Sequence, residues 1–187
     1  MVSAETDQKG DNMAEPSPRN LFAAEDTSAA VLRKWWEGLQ ADPKERDRIR
    51  GCGDPSSVML SPEYQRLVNL LKEAGYDLDA AHSYAVAAVA VAVAQVTSDT
   101  GSRTRFAHQM AKPAPGRRKA RISGLRLDHL VGQQQREVAC LLLIPVIELL
   151  GGAVNLTDMA HGLYRWDNAA RKRWADDYYG VASTSGK

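Results

Sequence analysis

Ala85–Val96 reads AVAAVAVAVAQV, and whether it forms a strand or a helix decides the fold. Strict alternation over Val89–Val93 imitates a strand. Three features oppose that reading. The run is apolar on every side, it is rich in alanine, and the cap-like residues Asp77 and Asp79 precede it. Alanine favours helices and is depleted in strands. We read the stretch as a buried helix over about 78–97, whose small side chains let neighbouring helices approach closely. No convincing strand and no repeat appears elsewhere, so the fold class is all-α.

Start and stop signals extend this reading in both directions. Thr27 or Ser28 caps a helix to about Gln40 with Leu32, Trp35, Trp36 and Leu39 on its apolar face. Asp42-Pro43 and Ser61-Pro62 each pair a cap with proline at the first helical position, opening helices to about Gly51 and Ala74. After the breakers Pro113, Pro115 and Gly116, helices are expected over about 125–131 and 133–150, the second with a possible kink at Pro145. Asn155 and Asp167 cap the last two. The resulting picture is two small helical bundles, 27–98 and 121–180, joined by a basic connecting segment, 99–120. A disordered tail, 1–26, precedes them and a short tail, 181–187, follows.

The chain has 187 residues, of which 44% are hydrophobic, enough for a sizeable core outside the polar first 26. No basic region followed by an apolar run marks a signal peptide. The longest apolar runs fall short of the roughly 20 residues a membrane span needs. Cys52 and Cys140 are isolated and form no disulfide framework. These features point to a cytoplasmic protein with no membrane partner.

Sequence signals for chemistry are weak. Asp158 and His161 stand three apart on one expected helix, a spacing seen far more often in surface hydrogen bonds than in metal sites. No metal-ligand, nucleophile or nucleotide-loop motif accompanies them. Cys52, in Gly51-Cys52-Gly53, reads as an ordinary loop cysteine. Neither an enzyme nor a cofactor is expected.

Charge is the informative feature. Basic and acidic residues nearly balance, 24 against 23, yet they are segregated. Between Thr100 and Leu127 stand Arg103, Arg105, Lys112, Arg117, Arg118, Lys119, Arg121 and Arg126, and no acid. Such a stretch is either a solvated loop or a phosphate-binding surface, because lysine and arginine release counterions from a nucleic-acid backbone and arginine adds a two-pronged fork. With Phe106 its only aromatic residue, it would contact backbone rather than bases. Lys44, Arg46, Arg48 and Arg50 alternate with Glu45 and Asp47, which suggests ion pairing within one helix. Arg46 and Arg50, one turn apart, remain candidates, as do Arg171 and Arg173 beside Trp174.

The C-terminal sequence VNLTDMAHGLYRWDNAARKRWADDYYG resembles the closing signature of the CasB family, the small subunit of the type I-E CRISPR Cascade complex. Val154-Asn155, Leu163, Trp166 and Trp174-Ala175 through Tyr178-Tyr179 carry the resemblance. Trp35, Leu39, Arg46, Arg48 and Arg50 match the family's opening, and GLRLDHLV with REVACLLL its middle. Leu127, Asp128 and His129 depart from the aromatic, more basic middle of the family. The resemblance implies an all-helical, non-enzymatic subunit present in two copies. Its implied partners are other Cascade subunits, CRISPR RNA, opened target DNA and a second copy of itself. A helical scaffold binding an acidic protein partner, and a DNA-binding regulator, are the rival readings.

Overall fold

A computed structural model describes residues 20–101 and 103–184, the side chains of residues 183 and 184 excepted. Among them are ten helices: α1 (Thr27–Ala41), α2 (Pro43–Cys52), α3 (Pro55–Met59), α4 (Pro62–Glu73), α5 (Ala80–Val93), α6 (Phe106–Ala111), α7 (Gly124–Val131), α8 (Arg136–Leu149), α9 (Leu156–Arg165) and α10 (Asn168–Thr184). The all-α expectation holds, with one small addition. Strand β1 (Ser98–Asp99) pairs in parallel with β2 (Ala153–Val154). Thr97 N–H donates to Gly152 O at 2.9 Å at its start. Gly152 has φ +73°, and a Cβ there would lie 2.3 Å from Thr97 Oγ1.

The decisive stretch is the helix α5. Every residue from Ala85 to Ala94 is buried, because α3 and α4 cover it on one side and α8 and α9 on another. A helix with no polar face cannot end one bundle and turn a side to water. The expected division at residues 98 and 121 therefore does not appear as a gap in the packing. A single apolar cluster runs from Leu39 and Leu67 to Leu143 and Leu163.

Three further expectations are corrected. Residues 1–19 of the expected tail lie outside the described residues, but its end is folded. Leu21 and Phe22 are completely buried. Phe22 N–H donates to Ser28 Oγ at 2.7 Å, His161 Nδ1 donates to Leu21 O at 2.9 Å, and Phe22 meets the edge of Tyr164. Asp26, rather than Thr27 or Ser28, caps α1 by accepting from Ser28 N–H at 2.9 Å. At the other end, α10 continues past Gly180 to Thr184; residues 185–187 lie outside the described residues. Pro145 lies within α8, on its exposed side, where a carbonyl deprived of its N–H partner can meet water.

The C-terminal half packs around Trp174. Its ring lies 5.1 Å from Phe106 and 5.2 Å from Trp166, between centroids. Gly162 on α9 leaves room for it: a Cβ there would sit 2.5 Å from Trp174 Nε1. Because neighbouring rings hold the indole on both sides, Gly162→Ala should destabilise the fold by about 1–3 kcal/mol through overpacking. A thermal unfolding midpoint equal to the parent's would refute this. Phe22→Ala should cost roughly 3 kcal/mol or more if the arm before α1 is part of the fold. Denaturant unfolding measures that loss, and an unchanged midpoint would return Phe22 to the tail.

Candidate nucleic-acid interface

The basic segment is more ordered than a linker. α6 occupies its first part and buries Phe106, Ala107, Met110 and Ala111 against α10. Asp158 caps α6 by accepting from Phe106 N–H at 2.8 Å. Beyond α6 the chain forms a hairpin-like loop, with Pro113 and Ala120 paired in an antiparallel bridge. At its tip Arg117 N–H donates to Ala114 O at 2.9 Å. Pro115 and Gly116 take the central positions, Gly116 with φ +75°, as a type II turn requires. Arg121 N–H returns to Lys112 O, and Ile122 N–H to Met110 O. Ile122 is buried, and its carbonyl accepts from Tyr178 OH at 2.6 Å.

This scaffold sorts the candidate cations. Lys112, Arg117, Arg118 and Lys119 are exposed, and no side-chain partner meets them among the described residues. Arg103 and Arg126 are likewise exposed and unpaired at either end of the segment. Arg121 is half-buried, and its Nε has no hydrogen-bond partner. It lines a cleft of about 350 Å³ with Lys112, Gln109, Thr100 and Thr104. No acid lines that cleft, so two cations, one with its Nε unpartnered, converge on one recess.

The remaining candidates are held by the protein itself. Arg105 donates to Asp177 at 2.9 Å. Arg173 donates to Asp158 at 2.9 Å, although its Nη2 is buried without a partner. Arg46 donates to Gln40 at 2.9 Å. Arg50 donates to Ala94 O at 2.9 Å and Gln95 O at 3.3 Å, closing the C-terminus of α5. Arg171 does the same for α7, through Val131 O at 3.3 Å and the nearby Gln133 O at 3.4 Å. The expected ion pairs within α2 are absent. Arg48 reaches Glu63 and Glu45 reaches Arg66, both on α4.

Asp158 and His161 do not act as a pair, since each has a partner elsewhere. Burial pushes the Cys140 thiol up to about 12 and also raises Cys52, so neither is an activated nucleophile. Tyr179 is pushed up to about 12, chiefly by its hydrogen bond to Asp128 at 2.6 Å. That bond engages one carboxylate oxygen of Asp128, which, with Asp99, flanks the acid-free stretch. Sequence reading missed Arg136, which appears only as the start of an apolar helix. Its guanidinium is half-buried against carbonyls of α9.

The fold has a solved counterpart. A chain in the crystal structure of E. coli Cascade bound to a PAM-containing dsDNA target superposes with a TM-score of 0.65 at 18% identity, covering 83% of this chain and 96% of that one. No curated protein sequence matches the chain. The family model for CRISPR-associated protein Cse2, which is CasB in type I-E, matches residues 48–179. That span takes in the helices α3 to α9, the whole basic segment and α10 as far as Tyr179, and the chain belongs to the Cse2 family.

Proposed function

We propose that this chain is a non-catalytic subunit of a type I-E Cascade complex that holds CRISPR RNA and opened target DNA by their backbones. The observation that carries the proposal is the tied hairpin. Its tip presents Arg117, Arg118 and Lys119 to solvent without acidic neighbours, and its base places Lys112 and the orphaned Arg121 Nε over one cleft. Family membership and the fold shared with a chain of a DNA-bound Cascade support the same reading. In it, base pairing with the guide reads sequence and the protein supplies electrostatics. The partners would be the other Cascade subunits, CRISPR RNA, target DNA and a second copy of the chain.

Arg103, Arg126 and the hairpin cations are the proposed contacts. Arg105 and Arg173 can contribute only by sharing or leaving their carboxylates. Arg46, Arg50 and Arg171 support the scaffold that presents the others.

Binding of the isolated protein to single strands of any sequence should fall steeply with salt. Arg103, Lys112, Arg117, Arg118, Lys119, Arg121 and Arg126, at about −0.7 per phosphate contact, give a log–log slope near −5. Reversing Arg117, Arg118 and Lys119 to glutamate should remove about 2 from that slope and cut target affinity of the assembled complex, with helicity by circular dichroism unchanged. Salt-insensitive binding, or full affinity in the triple variant, would refute the proposal. Binding of the hairpin to an acidic protein instead would favour the scaffold reading. Arg50→Ala should show the opposite pattern, a lower unfolding midpoint with the salt slope retained. A lost slope with an unchanged midpoint would move the interface onto α2.

A further inference from the structure

A larger cleft, of about 450 Å³, opens between the first turns of α5 and α8 and the last turn of α9. Its lining is Ala81, His82, Ala85, Arg136, Tyr164 and Arg165, with no acid. Arg136 donates from Nε to Leu163 O at 3.0 Å and reaches Arg165 O at 3.5 Å. Both acceptors are neutral carbonyls, and no carboxylate pairs with it among the described residues. A half-buried cation with no carboxylate paired to it is costly, and burial outweighs the charge of nearby Asp167 to hold this guanidinium below its ordinary pKa. A bound anion would offset that cost.

The second feature is a flat wall. The His82 ring lies nearly parallel to Tyr164, with centroids 6.2 Å apart and planes 23° from parallel. Asp79 fixes the His82 ring through Nδ1 at 2.8 Å. Tyr164 is buried behind it, so the half-exposed histidine is the face a ligand meets. A cation beside an accessible flat ring is the chemistry that receives a nucleotide, phosphate on the guanidinium and base on the ring.

The cleft also joins the interface. Arg165 lines the next cleft along α9, together with His161 and Arg173. His161 and Arg173 in turn line a third, with Arg105, Asn155 and the acids Glu25 and Asp158, the second paired with Arg173. Asn155 donates to Thr104 O at 3.1 Å, and its N–H donates to Gln109. Thr104 and Gln109 line the cleft beneath the hairpin. The first three clefts are thus linked by shared lining residues along α9, which is about 15 Å long at 1.5 Å per residue, and Asn155 at its start bonds to the wall of the hairpin cleft. Arg165 pairs with the half-exposed Asp167, a surface contact weak enough to yield to a phosphate.

We infer that this cleft holds one nucleotide of the strand bound at the hairpin, its base laid on His82 and its phosphate between Arg136 and Arg165. The inference rests on the proposed function only for the presence of that strand. The test uses the full chain and short single-stranded RNA carrying thiouridine at each position in turn, cross-linked by light at low salt and mapped by mass spectrometry. Cross-links at His82 or Tyr164 are expected, as well as at the hairpin. His82→Ala should weaken binding about fivefold or more, and His82→Phe, which keeps a flat face, should restore it. Cross-links confined to residues 103–126, with His82→Ala binding like the parent, would overturn the cleft and leave the hairpin reading intact. Absence of cross-links anywhere, with no salt-dependent binding, would remove both.

Discussion

The burial of α5 on every side is the constraint from which the rest of the structure follows. A helix of alanine and valine offers no face to water, so partners must surround it, and local sequence cannot supply enough of them. α8 and α9 are drawn in from the second half of the chain. Once α9 lies against α5, its opposite side is free to receive α6 and α10. Gly162 permits this by letting Trp174 come to the α9 backbone. Ile122 and Tyr178 then fasten the hairpin to the same assembly. The position of the basic tip is thus set by the packing of an apolar helix that carries no charge.

Charge has two separate uses in this chain, and near-neutrality conceals them. Acidic residues repeatedly serve helix N-termini: Asp26, Asp42, Asp54, Asp79, Asp158 and Asp167 each accept from first-turn N–H groups. Arginines serve the opposite ends, where carbonyls are left over. Arg50 does so for α5, Arg171 for α7 and Arg136 for α9. These acids and arginines answer the partial charges of the helices. The hairpin contains no helix end that needs an acid, and its lysines and arginines therefore remain unpaired.

Much of this was legible in sequence. The Asp42-Pro43, Ser61-Pro62, Asn155 and Asp167 starts appear where their residue types require, because a cap is a local interaction. The helical nature of α5 followed from alanine content for the same reason. What escaped was long-range. Nothing near Leu21 and Phe22 announces that α9 supplies their partners. α3 is too short for a periodic signal, and α6 was hidden in a segment read by its charge. Among the candidate cations, the crowding of charge in the hairpin is visible from sequence, but nothing there separates Arg50 and Arg171 from it. A capping arginine and a ligand-binding arginine look alike until the carbonyls they meet are known.

The hairpin's geometry bears on how such a surface can act. Lysine and arginine lose considerable rotamer freedom when fixed, and a floppy loop would add a backbone ordering cost to every contact. Here the backbone is already ordered, by the bridge between Pro113 and Ala120, the turn at Pro115-Gly116 and the return bond of Ile122 to α6. Only side chains remain to be immobilised. A strand of any sequence could then be held by the same few cations at little reorganisation cost. The long side chains of Arg117, Arg118 and Lys119 can still adjust to its phosphates. An ordered backbone carrying long, exposed side chains suits the proposed role, in which the surface meets strands of any sequence.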